Sequence, residues 1–144
     1  MRFSEKWYAI FALIVAGLGF ADATYLAIEH FLGKVPPCSI IQGCDLVTTS
    51  QYATIFGIPV ALMGALYYLA IIIAVIFFLD KKNVRLLVVL AKCSVAGLVA
   101  SLYFVGIQFF VLHAICLYCF FSAATSTMLF IGSAWFLLSK KVSL

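Results

Sequence analysis

Two pairs of closely spaced cysteines are the residues of this chain best suited to chemistry. Cys38 and Cys44 lie six residues apart, and Cys116 and Cys119 form a Cys-x-x-Cys motif. Residues three apart on a helix are about 5–6 Å apart, which is compatible with a disulfide. A bridge that closes so short a loop adds little stability. The motif therefore predicts redox exchange more than a structural role.

The Cys-x-x-Cys motif opens an apolar stretch and is predicted to lie in the first turn of a helix. Unpaired N–H groups and the positive end of the helix dipole stabilise a thiolate there, so we predict a lowered thiol pKa and ready exchange. Two alternatives stay open: a structural disulfide, or a zinc site to which Cys38 and Cys44 would supply the missing ligands. The leading interpretation needs no metal.

The first cysteine pair lies in a segment that cannot be a continuous helix. It follows Gly33-Lys34-Val35-Pro36-Pro37, and prolines end a helix. Residues six apart on a helix would be separated by about 9 Å, so a Cys38–Cys44 disulfide requires a turn, which Gly43 allows. Such a loop is accessible to a protein partner. Residues 45–52 then predict a short interfacial helix on the membrane surface.

The composition is that of a membrane protein. Of the 144 residues, 67% are hydrophobic and 10% charged, against about 25% charged in soluble domains. Four apolar stretches are long enough to cross a hydrocarbon core of about 30 Å. We predict an all-α membrane protein in which one domain, residues 1–144, is a four-transmembrane-helix bundle with the short interfacial helix between helices 1 and 2. The predicted spans are residues 7–28, 56–79, 86–112 and 116–138.

The basic residues predict the orientation. Only Lys34 falls at the end that carries the cysteine pairs. The positive-inside rule then places both termini in the cytoplasm and the paired cysteines outside, where disulfides persist. The net charge of +4 reflects this asymmetry and gives no reason to expect nucleic acid. The basic residues at the opposite end are Arg2, Lys6, Lys81, Lys82, Arg85, Lys92, Lys140 and Lys141.

The order of the motifs resembles one known family. A spaced cysteine pair is followed by Ser50, six residues after Cys44, then by Thr54-Ile55-Phe56-Gly57, and a Cys-x-x-Cys motif opens the last span. Over nearly the whole chain this is similar to the vitamin K epoxide reductase family, in particular its bacterial members. The resemblance implies a quinone reductase of the bacterial cytoplasmic (inner) membrane. Such an enzyme would oxidise a thioredoxin-like partner and support disulfide formation in exported proteins.

The resemblance also assigns roles to residues. It makes Cys116 and Cys119 the membrane redox centre, with Cys119 next to the quinone, and Cys38 with Cys44 the shuttle between partner and centre. Ser50 corresponds to a serine near the quinone ring. Because the chain ends soon after the fourth span, we expect the thioredoxin-like partner to be a separate protein.

Two positions depart from the vertebrate members of this family. Where those enzymes carry an Asn and a Tyr that hold the substrate, this chain has Ala53 and Ala123. The departures argue against epoxide reduction and leave an ordinary respiratory quinone, ubiquinone or menaquinone, as the expected acceptor.

Independently of the family, the sequence offers few other electron acceptors. It has no dinucleotide-binding motif, and His30 and His113 are both predicted near one surface, poorly placed to ligate a haem. A lipid-soluble quinone fits this pattern. Gln108 could donate to a quinone carbonyl, or bond a neighbouring helix. The aromatic residues predicted as candidates for the pocket are Phe56, Phe104, Phe109, Phe120 and Phe121.

Three further features carry weaker expectations. Asp22, Tyr25 and Glu29 form a stripe that we expect to be satisfied by its own members, by Lys34 or by interfacial water, with positioning of the loop as an alternative. His113 could stabilise the Cys116 thiolate, act as a proton donor, or have no role. Cys93 is expected to be a small buried apolar residue. The competing functions are a thiol-rich metal-binding membrane protein, and a transporter or assembly factor with incidental cysteines.

Overall fold

A computed structural model describes residues 3–34 and 51–142. Cys38, Cys44, Ser50 and most of the predicted interfacial helix lie outside these ranges. Each of four helices in the described part is long and apolar enough to cross a membrane. This confirms the predicted fold class of an all-α, four-span membrane bundle. The helices are α1 (Phe3–Phe31), α2 (Val60–Lys81), α3 (Val84–Phe110) and α4 (Leu117–Val142).

The helices run in alternating directions, so that the bundle has two distinct ends. The N-terminal end of α1 and the C-terminal end of α4 meet at what we call the terminal end, and the opposite one is the Cys-x-x-Cys end. Helix α1 packs against α2 and α4, and α3 packs against α4 and, less extensively, α2. The half of the bundle next to each end is called the terminal half or the Cys-x-x-Cys half.

A tight turn joins α2 to α3 at the terminal end. Lys82 adopts a left-handed conformation (φ 53°), and its N–H closes α2 by donating to the Phe78 carbonyl at 2.7 Å. The Asn83 side chain then caps α3, because its Oδ1 accepts from the Arg85 N–H at 3.1 Å. A left-handed C-cap and an Asn N-cap are the usual means of ending one helix and starting the next.

A small β-hairpin precedes α2 where the sequence predicted the start of a helix. Strands β1 (Thr54–Ile55) and β2 (Ile58–Pro59) pair antiparallel, and Phe56 and Gly57 both have positive φ, at 52° and 79°. Helix α2 therefore begins at Val60. The cause is Pro59, because a residue that precedes proline is excluded from the helical region and Ile58 is thus held extended.

The terminal half contains most of the tightly packed core. The Tyr8 ring stacks on Phe136 with centroids 4.7 Å apart, and Val75, Phe78 and Leu87 are completely buried. Large aromatic rings stacked in this way contribute both buried area and a favourable ring–ring interaction. This half has the close packing of a protein interior.

Candidate redox site

The Cys-x-x-Cys motif lies at the start of α4. Cys116 is the residue before the first helical position, and Cys119 is in the first turn. Cys116 is 0% exposed, Cys119 is half-buried, and both are free thiols. The two side chains are hydrogen-bonded to each other. The motif therefore holds two thiols in contact, one enclosed and one reaching the surface of a cavity.

The surroundings of Cys116 favour its thiolate. The hydrogen bond from the Cys119 thiol is the largest influence, and backbone N–H groups of Cys119 and Tyr118 add to it, while burial opposes both. Together they lower the pKa of Cys116 from 9.0 to about 7. The direction agrees with the lowered pKa predicted for the motif, but the largest cause is the Cys119 thiol and not the helix start. A thiol that ionises near neutral pH is suited to disulfide exchange.

Gln108 connects the end of α3 to the motif. Its side-chain Oε1 accepts from the Cys116 N–H at 3.0 Å, and its backbone carbonyl accepts from the Ala114 N–H at 3.0 Å. This confirms the predicted alternative that Gln108 bonds a neighbouring helix. Because the residue is 2% exposed, these bonds are protected from water and fix the first turn of α4 against α3.

A cavity of about 360 Å³ occupies the Cys-x-x-Cys half. This volume falls within the range of about 300–1,000 Å³ typical of small-molecule sites. Apolar side chains form most of its wall, and Cys119 and Gln108 both line it. Residues from all four helices and the hairpin contribute, among them Ala23, Leu26, His30, Tyr52, Ile55, Met63, Tyr67, Gly97, Ala100, Phe104, Ser122, Ala123 and Ser126.

Two hydroxyl groups in this cavity wall lack hydrogen-bond partners. The Tyr67 hydroxyl and Ser126 Oγ are both buried, and neither has a partner among the described residues. They approach each other beside Gly97, and a methyl group on that glycine would collide with both. Neither Tyr67 nor Ser126 was among the predicted site residues. The signal that could have found them is that a polar side chain inside a membrane span requires a partner.

Only some of the residues predicted to bind a quinone line the cavity. Gln108 and Phe104 line the cavity, as does Ala123. Phe56 does not line it: the ring is 100% exposed at the tip of the hairpin. The Phe109 and Phe120 rings contact each other edge-on, with centroids 6.0 Å apart, and neither lines the cavity.

In the acidic stripe on α1, one atom, Asp22 Oδ2, lacks the expected partner among the described residues. The Tyr25 ring packs against Tyr118, with centroids 5.5 Å apart. Asp22 Oδ2 is buried and has no hydrogen-bond partner in residues 3–34 and 51–142. Electrostatic interactions connect the Asp22 carboxyl to both Cys116 and Cys119. This carboxyl therefore belongs to the surroundings of the thiol pair.

Cys93 and His113 are both exposed. Cys93 is exposed on α3, so the prediction that it is buried is wrong: the helix turns this residue away from its neighbours. His113 is exposed and has a left-handed conformation (φ 51°) in the connection before α4. Within the described ranges no three His, Cys, Asp or Glu side chains come together as a metal site would require. The zinc alternative depends on Cys38 and Cys44.

A four-helix membrane bundle with a low-pKa Cys-x-x-Cys motif beside an apolar cavity defines a class of membrane thiol oxidoreductases. Residues 10–134 match the model of the vitamin K epoxide reductase family, and the chain belongs to that family. The protein is thus a multi-pass membrane oxidoreductase. A comparison with curated proteins finds no significant match.

Proposed function

We propose that this protein is a quinone-dependent thiol-disulfide oxidoreductase. It oxidises a separate thioredoxin-like protein and reduces a membrane quinone, and so supports disulfide formation in exported proteins. The observation that carries this proposal is the position of Cys119 in the wall of an apolar cavity, with the low-pKa thiol of Cys116 hydrogen-bonded behind it. A lipid-soluble acceptor in that cavity would be next to Cys119 and could take electrons from the motif directly.

The proposed route uses the four cysteines in sequence. The partner dithiol reduces a Cys38–Cys44 disulfide, and one of the released thiols attacks the Cys116–Cys119 disulfide. Exchange of this kind passes through a mixed disulfide. We propose that Cys44 attacks Cys116, which frees Cys119 as a thiolate facing the cavity. When the dithiol is later oxidised, two electrons and two protons convert the quinone to the quinol.

Binding of the quinone head group follows from the cavity wall. Gln108 Oε1 accepts from the Cys116 N–H, and the residue lines the cavity. We propose that Nε2 donates to a quinone carbonyl next to Cys119, and that the apolar wall holds the ring and the start of the isoprenoid tail. Ser50 is proposed to lie near the ring on the basis of the family resemblance. Phe56, at the exposed hairpin tip, gains no support for such a role.

The proposed substrate is an ordinary respiratory quinone, ubiquinone or menaquinone. Ala123 lines the cavity at the position where vertebrate members carry the substrate-holding Tyr. A methyl group cannot supply the hydrogen bond that an epoxide oxygen would require. The proposed location is the bacterial inner membrane, with both termini cytoplasmic and the four cysteines outside, on the argument from basic residues.

Purification from native membranes tests the quinone. Extraction of the protein and mass spectrometry of its bound lipids are expected to give one ubiquinone or menaquinone in about equal amount to the protein. A Gln108→Leu variant is expected to retain less of it. Bound metal in place of quinone, at two thiol pairs per ion, would support the metal-binding alternative and contradict the proposal.

Trapping tests the thiol route. Cys119→Ser protein exposed to oxidant should accumulate a disulfide between Cys116 and a loop cysteine, because the resolving thiol is missing. Peptide mapping identifies the bridge. A trapped species that lacks Cys116, or the absence of any under oxidising conditions, would count against the route as proposed.

A further inference from the structure

Asp22 is an acidic side chain placed within a membrane span. It lies nine residues before the end of α1, or about 14 Å along the helix axis from the Cys-x-x-Cys end. Ionisable residues at such depth are costly and by default indicate a functional site. The described part of the chain offers no hydrogen-bond partner to its buried Oδ2.

The carboxyl faces the thiol pair and not the cavity. Its electrostatic interactions are with Cys116 and Cys119, and neither Asp22 nor Cys116 is among the residues that line the cavity. Cys119 thus lies between the cavity on one side and a pair formed by Cys116 and Asp22 on the other. A role in contacting a quinone is therefore not open to Asp22, whereas a role in the protonation of the thiols is.

We propose that Asp22 takes up the proton that Cys116 loses when the Cys-x-x-Cys dithiol is oxidised, and passes it on as the quinone is reduced. The inference rests on the proposed function for the identity of the oxidant. In balance, the S–H bonds of Cys116 and Cys119 break, one S–S bond forms, and the quinone gains two electrons and two protons. The Cys119 proton leaves on the cavity side, and the Cys116 proton leaves by way of the carboxylate.

Other titratable groups lie on the elements packed around Asp22. On α1 these are Glu29 and His30, and in the connection before α4 the group is His113; the tyrosines of the packed helices are Tyr25, Tyr67, Tyr68 and Tyr118. The electrostatic interactions of the Asp22 carboxyl are instead with the thiol pair, Cys116 and Cys119.

The decisive experiment compares Asp22→Asn with Glu29→Gln in purified full-length protein. Glu29 lies on the same helix two turns closer to the surface, so its substitution removes the same charge without touching the thiol pair. Asp22→Asn should slow reduction of a soluble short-chain ubiquinone by a membrane-permeant dithiol about 100-fold at pH 7, since a positioned proton acceptor contributes about 10²–10⁴-fold. Glu29→Gln should leave the rate unchanged, and Asp22→Glu should restore much of it.

A second readout separates proton transfer from mere support of the structure. Loss of the neighbouring negative charge favours the Cys116 thiolate, so the pH midpoint of iodoacetamide labelling of this thiol should fall in Asp22→Asn relative to wild type, by about half a unit or more. Slower turnover with a lower labelling midpoint is the expected signature. Unchanged labelling, equal effects of Asp22→Asn and Glu29→Gln, or an inactive Asp22→Glu would each overturn the proposal.

Two controls keep the result decisive. If Asp22→Asn does not fold, redox-difference infrared spectroscopy of wild type replaces it: a protonated-carboxyl signal should increase when the pair is oxidised by a chemical oxidant without quinone, and no change or a decrease would overturn the proposal. If wild type reduces no quinone with any dithiol, the proposed function fails. The labelling comparison, which needs no quinone, then decides separately whether Asp22 interacts with Cys116.

Discussion

The two halves of the bundle differ in how completely their buried polar groups are satisfied. In the terminal half they are satisfied: the Tyr8 hydroxyl and Ser133 Oγ are 2.7 Å apart, and Ser94 Oγ donates to the Ala91 carbonyl at 2.6 Å. In the Cys-x-x-Cys half, four buried polar atoms lack partners among the described residues. They belong to Asp22, Thr24, Tyr67 and Ser126.

Adjacent residues show that this difference is local. The Tyr68 hydroxyl lies 2.8 Å from both the Ser122 carbonyl oxygen and Thr125 Oγ1 and so ties α2 to α4. Tyr67, the next residue, presents its hydroxyl to the cavity wall, where residues 3–34 and 51–142 offer it no partner. An unsatisfied buried polar group costs about 1–3 kcal/mol. The bundle thus carries this cost around the cavity and the thiols, where a ligand or a proton can offset it.

The largest expected effect is the loss of the chemistry itself. Cys116→Ala and Cys119→Ala should each abolish quinone reduction by any thiol donor, because the disulfide can no longer form. Cys93→Ala is the matched control, since that cysteine is exposed on α3 and should leave the rate unchanged. Stopped-flow measurement of quinone absorbance provides the test. Full activity in either motif variant would place the redox centre elsewhere.

A second effect concerns the pH dependence of Cys116. Its pKa of about 7 depends first on the hydrogen bond from Cys119, so Cys119→Ala should raise the pKa toward 9.0. Thiolate forms above the pKa, and alkylation of Cys116 at pH 7 should therefore slow more than tenfold. Mass spectrometry of labelled peptides from pH 5 to 10 gives the midpoint. A midpoint that stays near 7 would show that the helix start alone lowers the pKa.

A third effect tests the cavity without altering the thiols. A methyl group at Gly97 collides with Tyr67 and Ser126, so Gly97→Ala should lower kcat/KM for the quinone about tenfold, equivalent to about 1.4 kcal/mol. Labelling of Cys116 should not change. Gly17→Ala is the control, because a methyl group at Gly17 meets no other atom within 4 Å. Equal kcat/KM values for the two variants would show that this part of the cavity does not take part in the reaction.

The smallest effect compares the two halves directly. Tyr8→Phe removes a satisfied hydroxyl and should lower the free energy of unfolding by about 0.5–1.5 kcal/mol. Tyr67→Phe removes an unpartnered one and should leave stability unchanged or slightly higher. Chemical denaturation in detergent measures both. A larger loss for Tyr67→Phe would mean that its hydroxyl is satisfied in the folded protein.

The sequence predicted most of the fold because the signals were local. Hydropathy over about 20 residues defined four spans, and the motif at the start of a span defined the helix position of Cys116. The start of α2 was placed too early, although the signal was present: Pro59 keeps Ile58 out of the helical region. Phe56, assigned to the pocket, sits instead at the hairpin tip because Gly57 and Phe56 turn the chain there.

The surroundings of the thiols could not be predicted in the same way. The stripe of Asp22, Tyr25 and Glu29 was visible in the sequence, but which helix it faces depends on the rotation of α1 against α4. That rotation is set by packing, for example by the close approach of Gly19 to the Tyr68 ring. The Tyr67–Ser126 approach likewise joins residues 59 positions apart in the sequence.

The double hydrogen bonding of Gln108 has a consequence for how the gene can vary. Gln108 holds Ala114 through its backbone and Cys116 through its side chain. The number of residues between Gln108 and each of these two partners is therefore fixed. A single insertion or deletion between positions 109 and 115 breaks one of these bonds and shifts both thiols along α4. Epitope tags, loop grafts and natural length variation therefore belong in other connections of the chain.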